Sequence, residues 1–149
     1  MSDVLFYHLL STPLEAVLPD LLEKSLAKGW TAVVQTNNAG RVEALNNALW
    51  TYKEASFLAH GSSADGEGAH QPIWLTDGVD NPNGAAIRFL VDGAEVDDAG
   101  SYERVVYLFN GNDQDQLAHA RERWKVEKDA GHAVTYWAQN ETGKWEKKA

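Results

Sequence analysis

The first 35 residues alternate between β-prone and helical patterns, and this alternation restricts the fold more than any other feature of the sequence. Residues 4–7 are β-branched and aromatic, and residues 31–35 form a second apolar run. Apolar residues recur between these runs at helical spacing: Leu14, Val17, Leu18, Leu21, Leu22 and Leu26. Thr12 and Pro13 suit the start of that helix, and Gly29 suits its end. A strand–helix–strand unit of this kind is typical of α/β proteins with a parallel sheet.

Similar patterns continue along the rest of the chain. Helices are predicted from about 39 to 50 and from Asp113, as a cap, to about Ala130. Further strands are predicted at residues 57–59, 73–75, 86–91, 104–109 and 133–137, with a glycine- and histidine-bearing loop at 60–72. No helical pattern separates the strands within residues 57–109, so we expect some antiparallel pairing there.

These elements predict an α/β fold, a three-layer sandwich with a mainly parallel but mixed central sheet, like that of nucleotide-binding domains. No repeat or linker divides the sequence, so residues 1–149 are expected to form a single domain. The lysine-containing tail after about residue 138 is expected to fray.

Composition excludes several classes of protein. The chain has no cysteine, so it has no disulfide, thiolate metal site or cysteine nucleophile. No run of about 18 apolar residues is available for a membrane span. The N-terminus lacks the basic start and long apolar stretch of a signal peptide, and we therefore expect a cytoplasmic location.

Charge is distributed unevenly along the chain, whose formal net charge is −9. Residues 1–120 contain 6 Lys or Arg against 17 Asp or Glu, whereas residues 121–149 contain 7 against 5. An acidic body repels polyanions in general, but a local basic patch can still bind a short anionic ligand.

Motifs for catalysis or cofactor binding are weak. The turn after the first strand has no glycine, and the glycine-rich segment at residues 61–68 lacks the Gly-Lys-Ser/Thr end of a phosphate loop. Four side chains in or near that segment could ligate a metal in principle: His60, Asp65, Glu67 and His70. Their spacing and flexible setting favour an ordinary surface loop. We predict no catalytic residues, no metal and no cofactor.

The last predicted helix contains the most informative pattern. Arg121, Trp124, Lys125 and Lys128 fall at i, i+3, i+4 and i+7, so they share one face. An aromatic surface beside cations suits a peptide with carboxylates and a hydrophobic terminal residue. The alternative is a solvated basic face with Trp124 in the core. Trp50 and Phe57 form a second aromatic group, which could be core or a protein-interaction surface.

Several segments together resemble the chi subunit of bacterial DNA polymerase III. The similarity retains its order and spacing over about residues 4–137 and is concentrated in these segments: 4–9, 44–52, 56–61, 66–68, 120–125 and 130–132. It implies a non-catalytic clamp-loader accessory protein in DNA replication, part of a polymerase (nucleotidyltransferase) holoenzyme. Proteins of this family are similar in fold to nucleotide-binding domains without a known use of a nucleotide.

The resemblance also implies partners. Chi subunits bind the psi subunit of the clamp loader and the acidic C-terminal tail of single-stranded DNA-binding protein, and so reach single-stranded DNA indirectly. Arg121, Trp124, Lys125 and Lys128 match the tail-binding positions, with Trp124 in place of a common tyrosine.

Trp50 and Phe57 match the psi contact, and Ala59 stands where a proline is often found. Leu117 occupies a place where a basic residue can occur. Two hypotheses from other classes remain: a small-molecule or nucleotide-binding α/β enzyme, and direct DNA binding through residues 121–148.

Overall fold

The computed structural model describes residues 3–9, 14–50, 60–62, 72–78, 81, 84–96, 99–139, 142 and 144–148. Within these ranges the elements are, in chain order, β1 Asp3–Leu9, α1 Leu14–Ala27, β2 Ala32–Gln35, α2 Ala39–Trp50, β3 His60–Ser62, β4 Ile73–Thr76, β5 Ile87–Leu90, β6 Arg104–Asn110, α3 Gln114–Asp129, β7 Ala133–Gln139 and β8 Trp145–Lys147. The predicted α2 is confirmed at both ends. Thr12 and Pro13, the predicted start of α1, lie outside the described residues.

The strands form one sheet in the order β3-β4-β2-β5-β6-β1-β7-β8. Every neighbouring pair is parallel except β7 with β8. The prediction of a mainly parallel, mixed sheet is therefore confirmed, but the expected antiparallel pairing within residues 57–109 is wrong. β4 and β5 pair with opposite sides of β2, and both run parallel to it. The short connection between them therefore brings the chain back to the edge of the sheet where β4 began, so that β5 runs in the same direction.

Helices cover both faces of the sheet, which gives the predicted three layers. Val17 and Leu22 of α1 and Leu45 of α2 pack on one face, in the cluster that holds Leu9 of β1. Ala120 of α3 packs on the other face with Phe6 and its neighbours. No helix within the described ranges has both the length and the apolar character needed to cross a membrane.

Two expectations from the sequence are wrong, and a third concerns residues outside the described part of the chain. The predicted strand at 57–59 is not among the residues that the structure describes, and β3 occupies residues 60–62, which the sequence assigned to a loop. The described part of the tail is not frayed, because Trp145–Lys147 form β8. The Trp145 ring packs edge-on against Tyr7 at 4.8 Å between centroids, and this contact holds the tail on the sheet.

Helix α3 is delimited by local interactions at both ends. The Asp113 side chain caps the helix, as predicted, by accepting hydrogen bonds from the backbone N–H groups of Asp115 and Gln116. Gly131 follows the C-terminus with a φ of 88°, a left-handed conformation that glycine adopts without steric cost. The chain can therefore turn directly into β7.

A buried ion pair within α3 is hydrogen-bonded to Tyr107 of β6. Arg123 donates to the Glu127 carboxylate at 2.7 Å, and Glu127 is only 3% exposed. Arg123 also donates to the Tyr107 hydroxyl at 3.1 Å and to the Val96 carbonyl at 3.0 Å. Burial raises the pKa of Tyr107, so its hydroxyl stays neutral. The bonds to Tyr107 and to Val96 join this side of α3 to β6 and to the segment that precedes it.

Replacing Glu127 should destabilise the protein strongly. Glu127→Ala leaves the Arg123 guanidinium buried without its carboxylate, a change that costs about 3 kcal/mol of unfolding free energy. Urea denaturation of the variant and the wild type measures this difference. Glu122→Ala, at an exposed position of the same helix, should change stability by no more than about 0.5 kcal/mol. Equal midpoints for Glu127→Ala and Glu122→Ala would show that the buried Glu127 carboxylate does not contribute to stability.

Candidate functional site

The outward side of α3 carries the cations that the sequence singled out. Arg121, Lys125 and Lys128 are exposed, and Trp124 is half-buried at the margin of the helix. We call these four residues the α3 surface. Because Arg123 and Glu127 face the sheet, the helix geometry turns Arg121, Lys125 and Lys128 toward solvent.

Trp124 is neither sealed in the core nor fully exposed. Its ring lies 5.5 Å from Phe6 and 5.9 Å from Tyr136, between centroids. The Lys128 ammonium group lies 6.0 Å from the centre of the indole. The outer part of the indole is therefore an apolar surface in a fixed orientation, with a cation beside it.

The positive charge of Arg121 affects the pKa of two side chains on neighbouring strands, Tyr136 of β7 and His8 of β1. Burial raises the pKa of Tyr136, and the positive charge of Arg121 opposes this shift. Burial lowers the pKa of His8, and Arg121 lowers it further. His8 Nδ1 and the Tyr136 hydroxyl are hydrogen-bonded at 2.7 Å. Both shifts favour the neutral forms of His8 and Tyr136, the two titratable side chains next to the Arg121 guanidinium.

A glycine makes room for the histidine. Gly111 directly follows β6, and a Cβ atom at this position would overlap the His8 imidazole. His8 Nε2 is buried with no hydrogen-bond partner among the described residues, and Phe109 packs 5.0 Å from the ring. Gly111 and Phe109 thus pack closely around the His8 ring, whose Nδ1 is hydrogen-bonded to the Tyr136 hydroxyl.

The arrangement can bind an anion next to an apolar group. Arg121 offers a planar set of N–H donors that match a carboxylate, whereas Lys125 and Lys128 contribute positive charge with less directionality. The Trp124 indole offers apolar contact area at the same place.

The structure places the other predicted residues as follows. Trp50 is the last residue of α2, and Phe57 and Ala59 lie outside the described residues. Among the candidate metal ligands, His60 begins β3, while Asp65, Glu67 and His70 are also outside. No group of three or more His, Asp or Glu within the described ranges could hold a metal ion.

Sequence reasoning missed His8 and Tyr136 as part of this site. Tyr136 was placed in a predicted strand, residues 133–137, but the first predicted strand, residues 4–7, ended before His8. The face that each strand turns toward α3 was not considered. The signal was available in the alternation of β1, where Val4 and Phe6 pack under α3 and His8 follows at the same two-residue period. What the sequence could not show is that β7 lies beside β1.

Comparison with known proteins identifies the family. The model of the family described as DNA polymerase III chi subunit, HolC, matches residues 1–135. The chain belongs to the DNA polymerase III chi subunit family. A similar protein is the "Probable DNA polymerase III subunit chi" of Rickettsia prowazekii (strain Madrid E), 31% identical over 96 residues. That segment covers 64% of this chain and 58% of the relative, less than two thirds of its length. The resemblance inferred from the sequence is confirmed.

The low pKa of His8 should make stability depend on pH. An unfolded histidine titrates near 6.5, while folded His8 takes up its proton only at lower pH. As the pH falls below about 6.5, the unfolded state therefore binds more protons and the free energy of unfolding decreases. Urea denaturation at pH 7.5 and about pH 5.5 measures this loss.

Two variants isolate the contribution of His8. Arg121→Gln removes one cause of the lowered pKa, and His8→Gln removes the titrating group, so each should lose less stability on acidification than the wild type does. Lys24→Gln, on the opposite side of the sheet, should behave like the wild type. The same loss in all four proteins would show that His8 does not contribute.

Proposed function

We propose that this protein is a non-catalytic accessory subunit of a bacterial DNA polymerase III holoenzyme in the cytoplasm. It acts as an adaptor that binds the acidic C-terminal tail of single-stranded DNA-binding protein and the psi subunit of the clamp loader. Polymerase is thereby brought to single-stranded DNA that is coated with protein. Membership of the chi subunit family and the chemistry of the α3 surface support this proposal.

The observation that carries the proposal is the placement of Trp124 beside exposed cations. A tail that ends in phenylalanine after aspartates presents an aromatic ring, a terminal carboxylate and further negative charges. The ring would pack on the Trp124 indole, and Arg121 would bind the terminal carboxylate bidentately. Lys125 and Lys128 would attract the aspartates.

Such a site gives weak binding to one tail and stronger binding to many. The contact area of a few residues is small, and exposed charge pairs contribute little each. Single-stranded DNA-binding protein is an oligomer with several tails, so its tails raise the effective concentration near each adaptor. Weak single contacts also allow the adaptor to exchange as replication proceeds.

Arg121→Ala should weaken tail binding by roughly 1–3 kcal/mol, because it removes the charged partner of the terminal carboxylate. Titration calorimetry with an acidic peptide that ends in Asp-Phe measures the effect. Added salt should weaken wild-type binding, because the pairs are near the surface.

A matched peptide and a matched variant control this experiment. Amidation of the peptide's C-terminus should weaken binding to the wild type but have little further effect on Arg121→Ala. Lys24→Ala also removes one exposed cation, but on the other face of the sheet, and should bind as the wild type does. Equal affinity of wild type and Arg121→Ala would exclude this site.

The contact with psi is assigned to Trp50, Phe57 and Ala59 through the family resemblance. Phe57→Asp introduces a charge into that patch and should reduce co-purification of co-expressed psi by about tenfold or more, as at an interface hot spot. Binding of the acidic peptide by the same variant should be unchanged and reports that the protein is folded. Undiminished co-purification would remove Phe57 from the psi contact.

A further inference from the structure

A cavity lies on the face of the sheet opposite α3, between the C-terminal half of α1 and strands β5, β6, β1, β7 and β8. Its volume is about 230 Å³. Its walls are largely apolar and aromatic, with these side chains among them: Leu5, Tyr7, Leu21, Phe89, Trp137 and Trp145. We call it the α1 cavity. None of its residues belongs to the α3 surface or to the predicted psi contact.

Three aromatic side chains form one wall of the α1 cavity. Tyr7 lies 6.4 Å from Trp137, in a stacked arrangement, and 4.8 Å from Trp145, edge-on. All three are half-buried, so part of each ring remains accessible. The hydrogen bond from Trp137 Nε1 to the Thr135 hydroxyl at 3.1 Å fixes the orientation of the indole. A planar group entering the cavity would meet preoriented ring surfaces.

Cations surround the opening of this cavity. Lys24, Lys28 and Arg104 contribute to its lining. The Lys28 ammonium group and the Arg104 guanidinium also lie over the Trp30 ring, 4.9 and 5.3 Å from its centre. Arg104 Nε is buried with no hydrogen-bond partner among the described residues.

Other charged side chains lie near the opening of the cavity, and they include both cations and carboxylates. Lys147 pairs with Trp137 across the β7–β8 ladder, so its side chain leaves the sheet on the same face. Asp20 forms an ion pair with Lys24 at 3.1 Å, but both side chains are more than half exposed. Asp3 precedes Leu5 by two residues on β1 and is also exposed. Among the described residues, the lining of the cavity itself includes three cations and no carboxylate.

We propose that the α1 cavity binds one base of a single strand of DNA, with the adjoining phosphates on Lys24, Lys28 and Arg104. Stacking on aromatic side chains beside a cationic track is the way in which proteins hold single strands without reading their sequence. The cavity is smaller than the roughly 300–1,000 Å³ of pockets that enclose whole small-molecule ligands. It therefore fits one planar ring, while the charged chain that bears the ring stays outside on the cations.

The acidic net charge limits this interaction rather than preventing it. With a net charge of −9, the protein as a whole repels a polyanion, so only the few phosphates next to the cations are attracted. Binding is expected to be weak and detectable at low salt, and to strengthen when the protein is already tethered near the strand. This direct binding goes beyond the proposed function, in which DNA is reached only through another protein.

The test is fluorescence anisotropy of a labelled oligothymidylate of roughly 20 nucleotides, longer than one binding site, at about 50 mM salt. Wild-type protein should bind it, and its tryptophan fluorescence should be quenched as a base stacks. Lys24→Gln with Lys28→Gln should weaken binding about fivefold, since both are surface charges. The slope of log affinity against log salt should fall by about 0.7 for each phosphate that the double variant no longer neutralises. Trp137→Leu should weaken binding about tenfold.

The opposite face supplies the matched control. Lys125→Gln with Lys128→Gln makes the same change in net charge on α3 and should retain DNA affinity while losing affinity for the acidic peptide. The Lys24 and Lys28 double variant should show the reverse pattern. This crossed pattern separates failure of the present proposal from failure of the proposed function.

Four results would overturn the proposal. The first is absence of binding at low salt, and the second is equal DNA affinity of the two double variants. The third is that free thymidine monophosphate competes as well as the oligonucleotide does at equal nucleotide concentration. The fourth is that the Lys24 and Lys28 double variant no longer binds the acidic peptide. The third result would assign the cavity to a free nucleotide, and the fourth to a peptide.

Discussion

Hydrogen bonds from the Arg123–Glu127 pair to Tyr107 of β6 hold one side of α3 against the sheet. Both charged groups belong to α3, so a rotation of the helix about its axis would keep the pair but break its hydrogen bonds to Tyr107 and to the Val96 carbonyl. Since positions along a helix are fixed relative to one another, this orientation also sends Arg121, Lys125 and Lys128 outward. The Tyr107 hydroxyl on β6 joins the helix to the sheet through the same pair.

The alternation of side chains along β1 connects the two aromatic surfaces. Phe6 and His8 turn toward α3, where they support Trp124 and Tyr136, whereas Tyr7 turns to the opposite face and packs against Trp137 and Trp145. One strand near the middle of the sheet therefore supports both sides. A ligand on one face would therefore leave the other face accessible.

Sequence patterns predicted the layers and most of the elements because apolar periodicity and capping are local signals. Asp113 and Gly131 delimit α3 through bonds to adjacent residues, and such bonds can be inferred from the sequence. Pairing between distant strands cannot. The parallel placement of β4 and β5 on either side of β2 and the β8 strand were missed for this reason. Tyr136 could be assigned to the site only once β7 was known to lie beside β1.

The distribution of charge has a consequence for both surfaces. An acidic protein that carries exposed cations in small groups attracts anions over a short range only, because salt screens the field beyond roughly 10 Å. Within that range the aromatic rings next to the cations select ligands that combine negative charge with a planar or apolar group. A simple polyanion gains the attraction without the apolar contact and also meets the acidic remainder of the surface. At the two proposed sites, selectivity would therefore depend on cations and aromatic rings together: Lys128 lies beside Trp124 on one face, and Lys24, Lys28 and Arg104 line the same cavity as Trp137 on the other.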